Sequence, residues 1–294
     1  MKKILLIYNP VSGSAEFRNK LDEIINLFQQ KNILLMLYRT RAENFDEDLL
    51  ECIKISAAEG VIASGGDGTL HAVINCLKKF DINLPVGIIG SGTSNDFASY
   101  LEVDAEKTAF AVAENKIRPI DFGLVNGKEF FINVASAGVF TGIAHEVDSR
   151  QKNSLGKIAY YLRGIGEIPN FKAVPLKISA DENIFELDAF LFLVLNSSAV
   201  AGLKKISNSA KVDDGKLDFI ALKKCSPKNL INFAQKILSG KCIDDDENIF
   251  YLQAKNFEIS SSENLISDLD GEFGGFLPLK IETVPRAINF FADK

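Results

Sequence analysis

Apolar runs alternate with segments of helical periodicity through the first 120 or so residues. The runs at residues 4–8, 33–38, 61–63 and 86–89 predict strands. Between them, apolar side chains recur every three or four residues, which is typical of amphipathic helices. The three sets are Phe17, Leu21, Ile24, Ile25 and Phe28; Leu49, Leu50, Ile53 and Ala57; and Leu70, Val73, Ile74 and Leu77. Asn44, with Glu47 three residues later, has the spacing of a capping box. This alternation predicts a doubly wound parallel sheet.

From about residue 121 the apolar period changes from that of a helix to that of a strand. Val174, Leu176 and Ile178 alternate with other residues, and further strand candidates lie at 185–195, 217–222, 249–254, 257–260 and 265–269. One helix interrupts them, with Ser226 as the predicted N-cap and Pro227 at the first helical position. This half is therefore predicted to be mainly antiparallel β structure.

Three of the predicted strands in the first half end in small polar residues. Residues 61–63 are followed by Gly65-Gly66-Asp67-Gly68-Thr69, residues 4–8 by Asn9-Pro10-Val11-Ser12-Gly13, and residues 86–89 by Gly90-Ser91-Gly92. Glycine lacks a Cβ, so a phosphate can approach the main-chain N–H groups, and a following helix adds its free N–H groups. Ligands bind beyond the carboxyl ends of strands in open α/β sheets. The three loops together predict one phosphate site, although each one alone is compatible with an ordinary turn.

These motifs carry a family resemblance. The order Asn-Pro-x-Ser-Gly, Gly-Gly-Asp-Gly-Thr and Gly-Thr-x-Asn-Asp-Phe-Ala, the last at residues 92–98, resembles the diacylglycerol kinase catalytic family. That family includes bacterial lipid kinases and is related to sphingosine kinase and NAD kinase. Residues 120–123, 213–215 and 270–272 also fall where the family has comparable segments.

The resemblance implies two domains of different class. An N-terminal doubly wound parallel α/β domain would bind the nucleotide, and a C-terminal mainly antiparallel β-sandwich would bind the lipid acceptor. We expect the first to contain residues 1–122 together with 286–294, because residues 287–291 suit the return of the chain that the family shows. The second would then contain residues 123–285.

The resemblance also implies a set of ATP-binding residues at the strand ends. They are Asn9, Ser12, Gly13, Thr40, Gly65, Gly66, Asp67, Gly68, Thr69, Leu70 and Thr93. Thr40 is also compatible with an ordinary threonine at a strand end. The chain has no Gly-x-x-x-x-Gly-Lys-Ser/Thr motif, so the lysine of that motif is not supplied to the phosphates.

The general base is expected in Asp270-Gly271-Glu272, where the family has its base. Two carboxylates that flank a glycine in an extended segment would lie on the same side of it. We favour Glu272 as the base, with Asp270 as its orienting partner or as the alternative base. A simple Asp-Gly turn is the competing interpretation.

Two sites for Mg²⁺ are implied. Asp121 would help to hold the catalytic ion, and Asp214, with the main-chain carbonyls of Lys211 and Lys216, would hold a structural one. Oxygen ligands with water suit Mg²⁺, but residues 213–216 also fit a simple β-turn. Asp121-Phe122-Gly123 is not a protein kinase motif here, because the His-Arg-Asp loop and the glycine-rich lid are missing.

The composition of the chain limits the kinds of partner that it can bind. The formal net charge of −6 and the pI of about 5.2 argue against nucleic acid as a ligand. No apolar run approaches the roughly 20 residues that cross a bilayer, so we expect a cytoplasmic protein that meets the inner face of the membrane from its surface. A basic and aromatic segment at residues 150–163 either contacts anionic headgroups or is a solvated helix face. The four widely spaced cysteines favour reduced thiols over zinc or disulfides.

The leading hypothesis is an ATP-dependent lipid kinase that phosphorylates a lipid hydroxyl, with diacylglycerol, giving phosphatidic acid, as the first choice of acceptor. An NAD kinase-like enzyme is one alternative, because NAD kinase has a related fold and the same Gly-Gly-Asp-Gly-Thr motif. A nucleotide-binding regulator without turnover is the alternative from another class. No motif identifies the acceptor lipid, and a homodimer is left open.

Overall fold

A computed structural model describes residues 1–12, 16–41, 43–92, 95–138, 172–200, 202 and 206–293. The chain divides into two compact units. The first consists of Met1–Ile120 and Arg286–Lys294, and the second of Asp121–Pro285. The chain therefore passes from one unit to the other twice.

The first unit is a parallel sheet with helices between its strands. The strands are β1 (Lys2–Tyr8), β2 (Ile33–Arg39), β3 (Gly60–Gly65) and β4 (Val86–Gly90), in the spatial order β2-β1-β3-β4. The helices are α1 (Glu16–Gln30), α2 (Phe45–Ser56), α3 (Asp67–Lys79), α4 (Asp96–Tyr100) and α5 (Ala105–Ala113). All pairs among the four strands are parallel, which confirms the predicted doubly wound class.

The core of this unit follows the alternation of side chains along the strands. Ile4 and Leu6 of β1 pack with Ile62 of β3 and with Phe28 of α1 on one face of the sheet. These side chains are almost completely buried, and burying one of them contributes about 1.5–3 kcal/mol. The parallel arrangement brings the carboxyl ends of β1 to β4 to one edge.

The start of α2 is a partial correction to the sequence interpretation. The helix begins after Asn44 as expected, but the side chain of Asn44 makes no capping hydrogen bond. A capping side chain needs an extended backbone, whereas Asn44 is left-handed, with φ 54° and ψ 30°. Ala57, expected on the inner face of the helix, is exposed and ends it with φ 48°.

The second unit is mainly antiparallel β structure, as predicted. Its strands are β6 (Glu129–Phe131), β7 (Val134–Gly138), β8 (Val174–Ala180), β9 (Asn183–Leu195), β10 (Leu217–Lys223), β11 (Ile249–Ala254), β12 (Asn256–Ser261), β13 (Ile266–Leu269) and β14 (Glu272–Phe276). Two further strands, β5 (Ile117–Val125) and β15 (Leu279–Phe291), begin in one unit and end in the other. The pairs β7–β9, β8–β9, β9–β10, β10–β11, β8–β12 and β13–β14 are all antiparallel.

One helix, α6 (Pro227–Leu238), interrupts these strands where the sequence predicts it. The Ser226 hydroxyl accepts the Asn229 N–H at 3.3 Å, so the predicted N-cap is confirmed. Leu230, Phe233 and Ile237 bury one face of the helix against β9 and β10 residues. All four cysteines are free thiols.

No helix within the described parts of the chain is long and apolar enough to span a bilayer.

Candidate functional site

The loops after β1, β2, β3 and β4 lie side by side in the first unit. The N–H of Asn9 donates to the Ser64 carbonyl at 2.9 Å, and the N–H of Ser91 donates to the Gly65 carbonyl at 3.0 Å. Thr40, directly after β2, donates its N–H to the Tyr8 carbonyl at 3.0 Å. The loops that the sequence analysis placed together are therefore adjacent at the carboxyl edge of the sheet. Gly13 and Thr93, two of the expected ATP ligands, lie outside the described residues.

Glycine is required where the second and third loops touch. A Cβ added to Gly92 would come within 2.4 Å of the Gly66 Cα, and one added to Gly65 would come within 2.2 Å of the Thr69 Oγ1. The side chain of Asn9 joins the first loop to the second, since its Nδ2 lies 3.3 Å from that same Thr69 hydroxyl. Close packing of the loops, as well as access for a ligand, thus explains the glycines.

Asp67 links the second loop to the third. Its carboxylate accepts the N–H of Asp96 at 3.2 Å and the N–H of Phe97 at 3.4 Å, at the start of α4. A carboxylate stabilises these N–H groups at a helix N-terminus. Asn95, just before α4, exchanges two hydrogen bonds of 2.8 Å with the main chain of Gly92. The carboxylate in the centre of Gly-Gly-Asp-Gly-Thr therefore holds the loops in place.

The N-terminus of α3 lies in the same loop cluster. Gly66 precedes the helix as its N-cap residue and has no side chain with which to cap it. The N–H groups of Thr69 and Leu70 donate to the Gly66 carbonyl at 3.0 and 3.2 Å, and the Leu70 side chain is buried. Gly66, Asp67 and Gly68 are half-buried.

Three serine hydroxyls near the loops are buried without a hydrogen-bond partner among the described residues. They belong to Ser12 after β1, Ser64 at the end of β3 and Ser91 after β4. An unsatisfied buried polar group costs about 1–3 kcal/mol. The loops thus present hydroxyls, main-chain glycines and the end of a helix, and this donor set fits a polyphosphate.

The Asp270 segment of the second unit is a tight turn, so the expected extended segment is wrong. Leu269 of β13 pairs with Glu272 of β14, which leaves Asp270 and Gly271 as a two-residue hairpin loop. Both loop residues have positive φ, 53° and 95°. This is the geometry for which Asp-Gly is favoured, because it matches the twist of the paired strands. Glu272 is exposed, whereas Asp270 is only 9% exposed.

Asp270 accepts hydrogen bonds from three successive main-chain N–H groups. Its Oδ2 accepts from Ile132 at 2.7 Å, and its Oδ1 accepts from Asn133 at 2.8 Å and from Val134 at 3.0 Å. The N–H of Asp270 in turn donates to the Val134 carbonyl at 2.9 Å. The carboxylate therefore fixes the connection between β6 and β7.

Asp121 and Asp214 meet at one turn of the second unit. The buried carboxylate of Asp121 accepts the Gly215 N–H at 2.7 Å, and the Asp214 carboxylate accepts the Lys216 N–H at 3.0 Å. Burial raises the pKa of the Asp214 carboxyl; the Lys216 N–H opposes this shift, and the nearby Asp121 raises the pKa further. The charges of Lys216 and Lys211 act in the opposite sense and lower this pKa. Three of the four expected metal-site residues, Asp121, Asp214 and Lys216, thus meet at this turn.

This turn offers only oxygen atoms to a cation. Among the described residues, no group of three or more His, Cys, Asp or Glu side chains is placed to hold a metal ion. A cation here would therefore need carbonyls and water besides the two carboxylates. That donor set fits Mg²⁺, which keeps several water ligands and prefers oxygen.

A buried polar cluster beside these residues was not predicted from the sequence. Asn133, Asn196 and Ser197 are at most 4% exposed. The Asn196 Nδ2 donates to the carbonyls of Asp121 and Ile132 at 2.7 and 2.8 Å, and the Asn133 Nδ2 donates to the Ala199 carbonyl at 2.7 Å. The one available signal was that two polar residues, Asn196 and Ser197, end the long apolar run of β9.

Comparison with known proteins identifies the family. Residues 3–125 match the diacylglycerol kinase catalytic domain, and residues 133–292 match the YegS C-terminal NAD kinase beta sandwich-like domain. A diacylglycerol kinase of Bacillus subtilis (strain 168) is 34% identical over 297 residues, covering 100% of this chain and 97% of the relative. The chain belongs to the diacylglycerol kinase catalytic domain family.

Further members of the family extend the similarity over the whole chain. A diacylglycerol kinase of Staphylococcus aureus (strain MRSA252) is 32% identical over 295 residues, covering 99% of this chain and 92% of the relative. The crystal structure of a putative diacylglycerol kinase from Bacillus anthracis str. Sterne matches with a TM-score of 0.83 at 29% identity, covering 99% of this chain and 95% of the other. As a member of this family the chain is a lipid kinase, and a kinase of this family implies the use of ATP.

Proposed function

We propose that the chain is an ATP-dependent diacylglycerol kinase that transfers the γ-phosphate of ATP to the free hydroxyl of diacylglycerol, giving phosphatidic acid. The observation that supports it most is the cluster of three loops joined by hydrogen bonds at one sheet edge, with three buried serine hydroxyls that lack partners among the described residues. The choice of diacylglycerol follows the similarity to the diacylglycerol kinases of Bacillus subtilis and Staphylococcus aureus.

The loops of the first unit are the proposed ATP site. Main-chain N–H groups at Gly65, Gly66 and Gly68 would bind the phosphates together with the hydroxyls of Ser12 and Thr69. The remaining proposed contacts are Asn9, Gly13, Thr40, Asp67, Leu70 and Thr93. Hydrogen bonds join the described parts of these loops to one another, so those parts are held in place before ATP binds.

Glu272 is the proposed general base. It lies exposed at the start of β14, directly after the turn that Asp270 fixes. The proton of the acceptor hydroxyl would pass to the Glu272 carboxylate as the hydroxyl oxygen attacks the γ-phosphorus and ADP leaves. A positioned base of this kind contributes about 10²- to 10⁴-fold to the rate. Asp270 serves as the orienting partner, because its carboxylate already accepts three N–H groups.

Mg²⁺ is the proposed metal, and it would supply neutralisation of the charge that develops on the phosphates. Asp121 is the proposed side-chain ligand of the catalytic ion. Asp214, with the carbonyls of Lys211 and Lys216, is the proposed ligand set of a structural ion. Their common turn and its oxygen-only donors support this assignment.

The hairpin after Glu272 supports a lipid as acceptor. Phe273 and Phe276 of β14 are 54% and 50% exposed, and their rings meet edge to face at 5.9 Å between centroids. Exposed aromatic side chains beside the proposed base suit an acceptor with acyl chains. We propose that the protein works in the cytoplasm, at the inner face of the membrane. The basic segment at 150–163 lies outside the described residues.

A transfer assay tests the proposal. The purified protein is incubated with Mg²⁺ and γ-labelled ATP. One reaction contains mixed lipid vesicles with diacylglycerol, and a second contains NAD in place of the vesicles. Label in phosphatidic acid is expected. Label in NADP but in no lipid would identify an NAD kinase-like enzyme, and ATP binding without transfer would identify a nucleotide-binding regulator. Light scattering on the same preparation shows whether the active species is a homodimer.

A further inference from the structure

The two-residue connection between β6 and β7, together with Val134 at the start of β7, is held from both of its hydrogen-bonding sides. The N–H groups of Ile132, Asn133 and Val134 all donate to the carboxylate of Asp270. The carbonyls of Ile132 and Asn133 accept from the side chain and the N–H of Asn196, at 2.8 and 2.9 Å. A shift of this connection would therefore break bonds to Asp270 and to Asn196 together.

Asn196 also holds the segment that leads to the proposed metal turn. Its Nδ2 donates to the Asp121 carbonyl at 2.7 Å, and the Asp121 carboxylate accepts the Gly215 N–H at 2.7 Å. The N–H of Asp121 donates to the carbonyl of Val212 at 2.7 Å. Both the main chain and the side chain of Asp121 are therefore hydrogen-bonded to the segment that forms the turn. An unbroken series of hydrogen bonds thus runs from the turn through Asn196 to Asp270.

The members of this series are buried. Asn196 is 0% exposed and Asp121 is 2% exposed. The Asn133 side chain is fixed as well, because its amide donates to the Ala199 carbonyl and its Oδ1 accepts from the Ser197 hydroxyl. Buried polar groups that satisfy one another move together, since breaking one bond leaves another group without a partner.

We propose that Asn196 is a positioning residue that couples the Asp121–Asp214 turn to the hairpin that carries Glu272. The proposal rests on the proposed function, in which Mg²⁺ binds at this turn and Glu272 is the base. Binding of the cation would restrict Asp121, and Asn196 would pass that restriction to residues 132–134 and so to Asp270. A coupling between two sites is a free energy shared by both, and it can be measured from either one.

Hydrogen exchange of the native chain, without ATP or lipid, tests the coupling directly. Amide exchange is measured with Mg²⁺ and with EDTA. Mg²⁺ is expected to slow the exchange of the Gly215 amide, and to slow the amides of Asn133, Val134 and Asp270 by about fivefold, the lower end of typical couplings. The amide of Leu230 in α6, which donates to Ser226 outside this series, is the internal control and should not change. Slowing confined to Gly215, or no slowing at any of these amides, would overturn the proposal.

The variant Asn196→Asp keeps the size of the side chain but removes both donor hydrogens of its amide. In this variant Mg²⁺ should still protect Gly215 but should no longer protect Asn133 and Val134. Its kcat should fall at least tenfold while its KM for ATP stays within about twofold, because the proposed ATP site lies on other residues. Asn126→Asp, whose side-chain oxygen can still accept the Lys280 N–H at 2.9 Å, is the control in the same unit and should behave like the native chain.

The two proposals fail in different ways. If the native chain labels no lipid but Mg²⁺ protects residues 133, 134 and 270, the proposed function is wrong and the coupling stands. If the chain labels diacylglycerol but protection stays at the turn, or if Asn196→Asp retains full protection of Asn133, the coupling is wrong. Should Asn196→Asp fail to fold, the exchange data on the native chain still decide.

Discussion

Asn133 donates its main-chain N–H to the carboxylate of Asp270 at 2.8 Å, although 137 positions separate the two residues in the sequence. Two neighbouring N–H groups donate to the same carboxylate. Asp270→Ala would deprive all three donors, two of them buried, of this acceptor, and we predict a loss of about 3–5 kcal/mol in the free energy of unfolding, measured with urea.

Glu272→Gln is the matched change on the other side of the turn. Because Glu272 is exposed, we expect its free energy of unfolding to stay within about 0.5 kcal/mol of the native value. Its kcat with diacylglycerol should fall by about 10²- to 10⁴-fold. An Asp270→Ala protein as stable as the native one would contradict the structural role, and a fully active Glu272→Gln would contradict the catalytic one.

The contact between Gly66 and Gly92 predicts opposite outcomes for one substitution at two positions. Gly92→Ala would place a Cβ 2.4 Å from the Gly66 Cα, so we expect it to lower the free energy of unfolding by about 1–3 kcal/mol. A Cβ at Gly66 would lie 3.5 Å from the Gly92 Cα, an ordinary contact, and its φ of −87° suits alanine.

Gly66→Ala should therefore retain the native melting temperature within a few degrees but bind ATP more weakly, because the new methyl group would obstruct the phosphates. Calorimetry of unfolding and of ATP binding measures the two effects separately. Equal melting temperatures for the two variants would show that the loops of Gly66 and Gly92 can move apart without lowering the free energy of unfolding.

Asp246 predicts a dependence of stability on acidity. Burial alone would raise the pKa of this carboxyl group, but the N–H and side-chain amide of Asn248 and the ammonium group of Lys236 hold it below its ordinary value. A lowered pKa in the folded state adds stability above the unfolded pKa of 3.8, and that stability is lost as the pH falls through the folded value.

Asp246→Asn should thus cost about 1 kcal/mol of stability at pH 7, and the difference should shrink as the pH falls below 3.8 and vanish once it is below the folded-state pKa. Urea unfolding at a series of pH values measures it. Asp245→Asn, at the exposed neighbouring position, serves as the control and should change little at any pH. A deficit for Asp246→Asn that stays the same size at every pH would rule out the titration as its cause.

Phe273 and Phe276 should contribute to binding of the lipid acceptor but not to binding of ATP. Replacing both with alanine removes the exposed rings beside Glu272, so we expect the KM for long-chain diacylglycerol in vesicles to rise about tenfold or more, with the KM for ATP unchanged. Ile184→Ala, at a residue 64% exposed on β9, is the control. The same rise for Ile184→Ala would show a general loss of apolar surface.

The elements that sequence reasoning placed well are those with a strong local period. The apolar positions of α3 and the short apolar runs of β1, β3 and β4 are local patterns. They predict the parallel sheet without any knowledge of contacts between residues distant in the sequence. The ends of helices were harder to predict. Ser226 has the extended backbone that a capping side chain needs, whereas Asn44 is left-handed, and their side-chain types do not distinguish the two.

The Asp270 motif shows where the candidate site could not be derived in the same way. Asp-Gly favours a tight hairpin turn as much as it suggests paired carboxylates, and the turn was the correct interpretation of the backbone. The partners of Asp270 lie at residues 132–134, and no spacing in the sequence connects them to position 270. Asn196 was missed for the same reason, since a buried amide is recognised only from the groups that surround it.

Mass spectrometry of the lipids that the purified protein phosphorylates is the decisive test of whether the chain is a diacylglycerol kinase with Glu272 as its base. Native protein and Glu272→Ala, the latter first shown to have the native melting temperature, are incubated with ATP, Mg²⁺ and vesicles of mixed bacterial lipids. We expect phosphatidic acid from the native protein and at least about 10²-fold less of it from the variant. Unchanged lipids with the native protein, or equal amounts of phosphatidic acid from both proteins, would contradict this expectation.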